Sequence, residues 1–77
     1  MNNDLYKGLV KEFMHAVQTN DDCLVHITYG KASMAFKLDA ISWKQFHNLS
    51  IAILRWMNAG DKRRANYATM IKAKDFR

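Results

Sequence analysis

A single cysteine, Cys23, stands in a chain of 77 residues, so an internal disulfide cannot stabilise the fold. A domain of this length buries only about 60–65% of the surface that its unfolded chain exposes. Small domains with so thin a core usually add a disulfide, a metal or a partner subunit. We therefore expect a single domain over residues 1–77 that is stabilised as a homodimer, in a reducing, cytoplasmic environment.

The composition is that of a folded chain, with 49% hydrophobic and 25% charged residues. The longest apolar run, residues 51–54, is far too short to cross a membrane. Residues 1–8 mix acidic and polar side chains where a secretory signal would be basic and then apolar. We expect no membrane partner.

Two segments carry strong helix signals. In the first segment the apolar residues fill one half of a helical wheel, which predicts an amphipathic helix over about 4–18. The apolar half consists of Leu5, Tyr6, Leu9, Val10, Phe13, Met14, Ala16 and Val17. Ser42 and Gln45 form a capping-box pair, which predicts a second helix over about 43–58. Gly60 is placed to end that helix.

Between these helices, the alternation of apolar and polar residues predicts a β-hairpin over about 23–38. Gly30 and Lys31 suit a two-residue type II′ turn. That turn would place one set of cross-strand pairs on a single apolar face: Tyr29 with Ala32, Ile27 with Met34, Val25 with Phe36, and Cys23 with Leu38. With a basic helix or tail over about 61–77, the predicted fold is α+β, in the order α-β-β-α-α.

The predicted helix over 43–58 has an apolar arc of about 160°, whereas packing on a small sheet needs about 100°. The excess indicates either deeper burial within the chain or a subunit interface. We favour an interface for a homodimer or another partner, formed by Leu49, Ala52, Ile53 and Trp56.

Catalytic and metal-binding patterns are weak. The three glycines stand apart at positions 8, 30 and 60, so no phosphate-binding loop is present in the sequence. Cys23 and His26 would point to opposite faces of a strand, and a zinc site needs four convergent ligands. The sequence therefore predicts no enzyme, no cofactor and no metal.

Positive charge is concentrated in the second half of the chain. Residues 1–40 carry four basic and five acidic side chains, a net charge of −1, whereas residues 41–77 carry eight and two, a net charge of +6. Such a patch predicts a polyanion or an acidic protein surface as partner. The candidate contact residues are Arg55, Lys62, Arg63, Arg64, Tyr67, Lys72, Lys74 and Arg77.

The segment Gly60-Asp61-Lys62-Arg63-Arg64-Ala65 resembles the Gly-x-Lys-Lys-x-Ala opening of the last helix in double-stranded-RNA-binding domains. In that family the basic pair contacts phosphates, and the resemblance implies this role for Lys62 and Arg63. The segment is a small part of the chain, and here a helix rather than a third strand precedes it.

The leading hypothesis is therefore a small, non-enzymatic binding or regulatory module that contacts nucleic acid through its basic C-terminal segment. The alternative is a regulator that docks on a larger host protein, like the small inhibitors of phages and plasmids. Surplus apolar surface around Leu49, Ala52 and Trp56 favours the alternative.

Overall fold

The computed structural model describes residues 3–60, Arg64 and Phe76. Three α-helices make up this part of the chain: α1 over Asn3–Gln18, α2 over Asp22–Lys37 and α3 over Trp43–Asn58. The described residues contain no strand. The predicted helices over 4–18 and 43–58 are confirmed, but the α+β class and the hairpin over 23–38 are wrong. The fold is a small all-α one.

The segment predicted as a hairpin is helical because a second periodicity competes with the alternation. The residues buried on α2 recur at helical spacing, and they are Val25, Thr28, Ala32 and Ala35. Other apolar residues lie on the exposed side of this helix, among them Ile27 and Met34, so the same segment also fits a period of two. Gly30 lies in the helix interior without a positive φ, and no type II′ turn forms there.

Local capping decides where α2 begins. The Asp21 carboxylate accepts a hydrogen bond from the Leu24 amide at 3.1 Å, which makes Asp21 the N-cap. Asn20, with φ of 54°, reverses the chain between α1 and α2. The Thr19–Asp22 turn cluster therefore both ends one helix and begins the next.

The predicted capping box of α3 is present. The Ser42 hydroxyl accepts from the Gln45 amide at 3.1 Å, and the Gln45 side chain accepts from the Ser42 amide at 3.0 Å. Asp39, with φ of 58°, turns the chain before it. Two otherwise unpaired N–H groups at the start of the helix are thereby satisfied.

The core lies between all three helices, with α2 packed against both of its neighbours. Small side chains on α2 let α1 and α3 approach it closely. α1 and α3 supply the larger buried side chains, among them Phe13, Leu49, Ile53 and Trp56. Phe76 joins this core and packs edge-on against Phe13, with ring centroids 6.0 Å apart.

Burial within the chain accounts for the wide apolar arc of α3. The four predicted interface residues, Leu49, Ala52, Ile53 and Trp56, are all buried by the chain's own helices. A homodimer through these residues stays a prediction, but a partner would have no direct access to them in this fold. Among the described residues, no helix has the length and apolar character needed to cross a membrane.

Candidate nucleic-acid interface

The face of α3 that points away from the core combines aromatic, apolar and basic side chains. We call Trp43, Lys44, His47, Leu54 and Arg55 the α3 outer face, and all five are exposed. Trp43 is 61% exposed and Leu54 51%. Large apolar side chains rarely stay this accessible without a ligand or partner when several lie on one surface.

Trp43 and His47 form a stacked pair at the start of α3. They are four residues apart, which places them on the same side of the helix. Their rings are nearly parallel, at 10°, with centroids 4.6 Å apart. The Ser42 cap fixes the first turn of α3 and thereby the position of Trp43. Each ring covers one face of the other, and both side chains are exposed to solvent.

The electrostatics of α3 favour a negatively charged ligand. The helix contains no acidic residue. Lys44 and Arg55 lie on the exposed side and form no ion pair with the described residues. A cation next to an exposed aromatic ring is a common arrangement for holding nucleic acid, since bases stack and phosphates are attracted.

A second aromatic group supports α3 from α2. Phe36 and Phe46 stack almost in parallel at 5.0 Å, and Tyr29 lies 6.2 Å from Phe46 at 19°. Phe36 and Phe46 are partly buried against the core. This group fixes the orientation of α3 relative to α2.

Arg64, a predicted contact residue, makes contacts within the chain. Its guanidinium donates hydrogen bonds to the carbonyl oxygens of Trp56 at 3.1 Å and Met57 at 3.3 Å. It also lies over the Trp56 ring and forms an ion pair with Asp22 at 3.4 Å. Its charge therefore neutralises the carbonyl end of α3.

Of the other predicted contact residues, Arg55 is described and exposed on α3. The rest lie outside the described residues: Lys62, Arg63, Tyr67, Lys72, Lys74 and Arg77. Along the helix, Arg55 lies about 18 Å from Trp43, so a ligand would have to extend along α3 to reach both.

Sequence reasoning missed Trp43, Lys44, His47 and Leu54 as site residues. Trp43 and Leu54 also fit within the apolar arc of about 160°, but the i, i+4, i+7, i+11 spacing of positions 43, 47, 50 and 54 defines a second stripe. That stripe is the signal that would have identified the surface.

One small cleft lies beside α1, with a volume of about 230 Å³ and a lining of Tyr6, Lys7, Val10, Lys11 and Phe76. Small-molecule sites usually enclose about 300–1,000 Å³. Burial raises the pKa of the Tyr6 hydroxyl, and the Asn48 side chain lowers that pKa by a smaller amount. Among the described residues, no group of His, Cys, Asp or Glu could hold a metal ion.

Comparisons with protein-family models, curated proteins and solved structures found no match to this chain.

Proposed function

We propose that this protein is a non-enzymatic module that binds single-stranded nucleic acid. Bases stack on the Trp43–His47 pair, and Lys44, Arg55 and the basic segment after Gly60 attract the phosphates. A nucleic-acid ligand agrees with the cytoplasmic location expected from the single cysteine.

The exposed stacked pair on an acid-free helix is the observation that carries this proposal. A base that stacks on an aromatic side chain contributes about 1–3 kcal/mol, with little dependence on sequence. Duplexes keep their bases stacked inside, so a flat exposed ring favours single strands. The net charge of +6 on residues 41–77 supplies the attraction to phosphates.

Tryptophan fluorescence tests the proposal directly. Trp43 is 61% exposed and Trp56 is 1% exposed, so a stacking ligand quenches Trp43 selectively. Single-stranded DNA and RNA of about a dozen nucleotides are titrated at several salt concentrations, with a duplex as the comparison. We expect quenching by single strands and an affinity that falls as salt rises. Absence of binding near 50 mM salt, the low end of the usual range, would contradict the proposal.

Two substitutions at Trp43 separate base stacking from a merely apolar contact. Trp43→Phe keeps an aromatic face, whereas Trp43→Leu keeps an apolar side chain without one. We expect Trp43→Phe to retain most affinity and Trp43→Leu to lose about 1–3 kcal/mol, measured by competition because the fluorescent reporter is removed. Equal affinities for both variants would show that stacking is absent.

A second candidate is a regulator that binds another protein. Its support is the number of exposed large apolar side chains, which include Ile27, Met34, Leu38 and Leu54. In this case Trp43→Leu retains partner binding and the protein shows no salt-dependent affinity for nucleic acid.

A further inference from the structure

The outer side of α2 carries an apolar stripe that the core does not use. We define the α2 stripe as Cys23, Ile27, Gly30, Met34 and Leu38, all of which are exposed. Ile27 is 53% exposed, Met34 57% and Leu38 71%. The first four follow the 4-3-4 spacing of a helix–helix seam, on the side of α2 opposite its buried residues.

Gly30 has no explanation within the chain. It lies in the helix interior, where glycine is less favourable than alanine. Its φ is not positive, and nothing lies within 4 Å of the place where a Cβ would stand. Gly8 in α1 is equally open, but Gly30 alone lies between two exposed apolar side chains, Ile27 and Met34. It therefore forms a notch in an apolar stripe.

We propose that a second copy of this chain covers the α2 stripe, with the two α2 helices antiparallel. In the symmetric register, Ile27 of each copy enters the notch at Gly30 of the other, and Met34 meets Cys23. Each contact occurs twice, as a two-fold interface requires. The proposal is independent of the nucleic-acid function, which uses α3.

Charge on the flank of the stripe favours this occupant and this direction. Asp22 lies at the first turn of α2 and Lys37 at the last, on the same flank of the stripe. An antiparallel pair brings Lys37 of each copy near Asp22 of the other, whose carboxylate is 61% exposed and also pairs with Arg64 of its own chain. On the other flank, Lys31 is paired with Glu12 at 2.9 Å, so it does not repel its copy.

Filling the notch tests the proposal. A Cβ at position 30 would meet nothing within 4 Å in its own chain. We therefore expect Gly30→Leu to fold, while overpacking at the seam weakens association by about tenfold or more. Gly8→Leu is the matched control on α1 and leaves association unchanged. Sedimentation equilibrium measures the dimer, and circular dichroism confirms the fold of each variant. A monomer of 9.0 kDa at all concentrations, or equal association of Gly30→Leu and wild type, would overturn the proposal.

Oxidative cross-linking tests the direction. In the antiparallel register the two Cys23 thiols lie too far apart to bond, whereas Met34→Cys places a new thiol beside the partner's Cys23. Within one chain these positions are about 16 Å apart, beyond the reach of a disulfide. We expect a covalent dimer from Met34→Cys and none from wild type. A wild-type Cys23–Cys23 dimer would indicate parallel helices and refute the register.

Discussion

The guanidinium carbon of Arg64 lies 4.1 Å from the centroid of the Trp56 ring, at the end of α3. Basic residues are unfavourable at the start of a helix, yet Lys62, Arg63 and Arg64 follow Gly60 and Asp61 at the start of the predicted C-terminal helix. For Arg64 the geometry resolves this, because its charge serves the carbonyl end of the preceding helix.

Replacing Arg64 therefore affects folding. We expect Arg64→Ala to lower the free energy of unfolding by about 1–3 kcal/mol, because the stacking on Trp56 and two charged hydrogen bonds are lost. Arg64→Lys keeps only part of this stabilisation, since lysine lacks the planar guanidinium of arginine. Arg55→Ala is the control, as an exposed arginine on the same helix, and changes stability by no more than about 0.5 kcal/mol. Urea denaturation measures all three variants.

A pair of substitutions in α2 distinguishes the helix from the hairpin that alternation predicts. In the hairpin, Ala32 and Met34 share one face, whereas in the helix Ala32 is fully buried and Met34 is 57% exposed. Ala32→Asp places an unpaired charge in the core and costs about 3 kcal/mol or more. Met34→Asp, measured in dilute protein, leaves the fold intact. If thermal melts show that both variants lose the same amount of stability, the helical assignment of α2 is contradicted.

The capping box makes a separate contribution at the start of α3. We expect Ser42→Ala to cost about 1 kcal/mol, because the Gln45 amide loses its acceptor. Ser33→Ala, a serine in the interior of α2, is the matched control and costs nothing, since alanine is the better helix former. If denaturant melts show the same stability for both variants, the box does not stabilise α3.

Tyr6 makes stability sensitive to alkaline pH. Burial raises the pKa of its hydroxyl above the ordinary value of 10.0. Between the unfolded and folded pKa values, the folded state binds more protons, so stability falls as pH rises. We expect the midpoint of denaturation to decrease above about pH 10, and Tyr6→Phe to remove part of that decrease. Tyr29→Phe is the exposed control and leaves the decrease unchanged.

α1 and α3 could be predicted because each has one dominant pattern. In α1 a single apolar half faces the core, and in α3 Ser42 and Gln45 mark the first turn. α2 could not, because it is apolar on two opposite sides and therefore matches a period of two as well as one of 3.6. Asp21 was the overlooked evidence: it follows a turn residue and precedes a segment with helical spacing.

The candidate site was only partly predictable. Charge identified the second half of the chain and Arg55, but the α3 outer face depends on knowing which side of α3 is buried. The sequence pattern does not distinguish Trp43 from Trp56, yet Trp43 is exposed and Trp56 lies in the core. Only the packing of α2 against α3 separates them.

The order in which these contacts form during folding follows from the position of α2 between its sequence neighbours. Most helix contacts join α1 to α2 and α2 to α3, so their sequence separation is small and little loop-closure entropy opposes them. Chains with such low contact order refold in microseconds to milliseconds. The contact of Phe76 with Phe13 spans most of the chain and forms after the helices have docked. Loss of the Phe76 ring should therefore accelerate unfolding far more than it slows refolding.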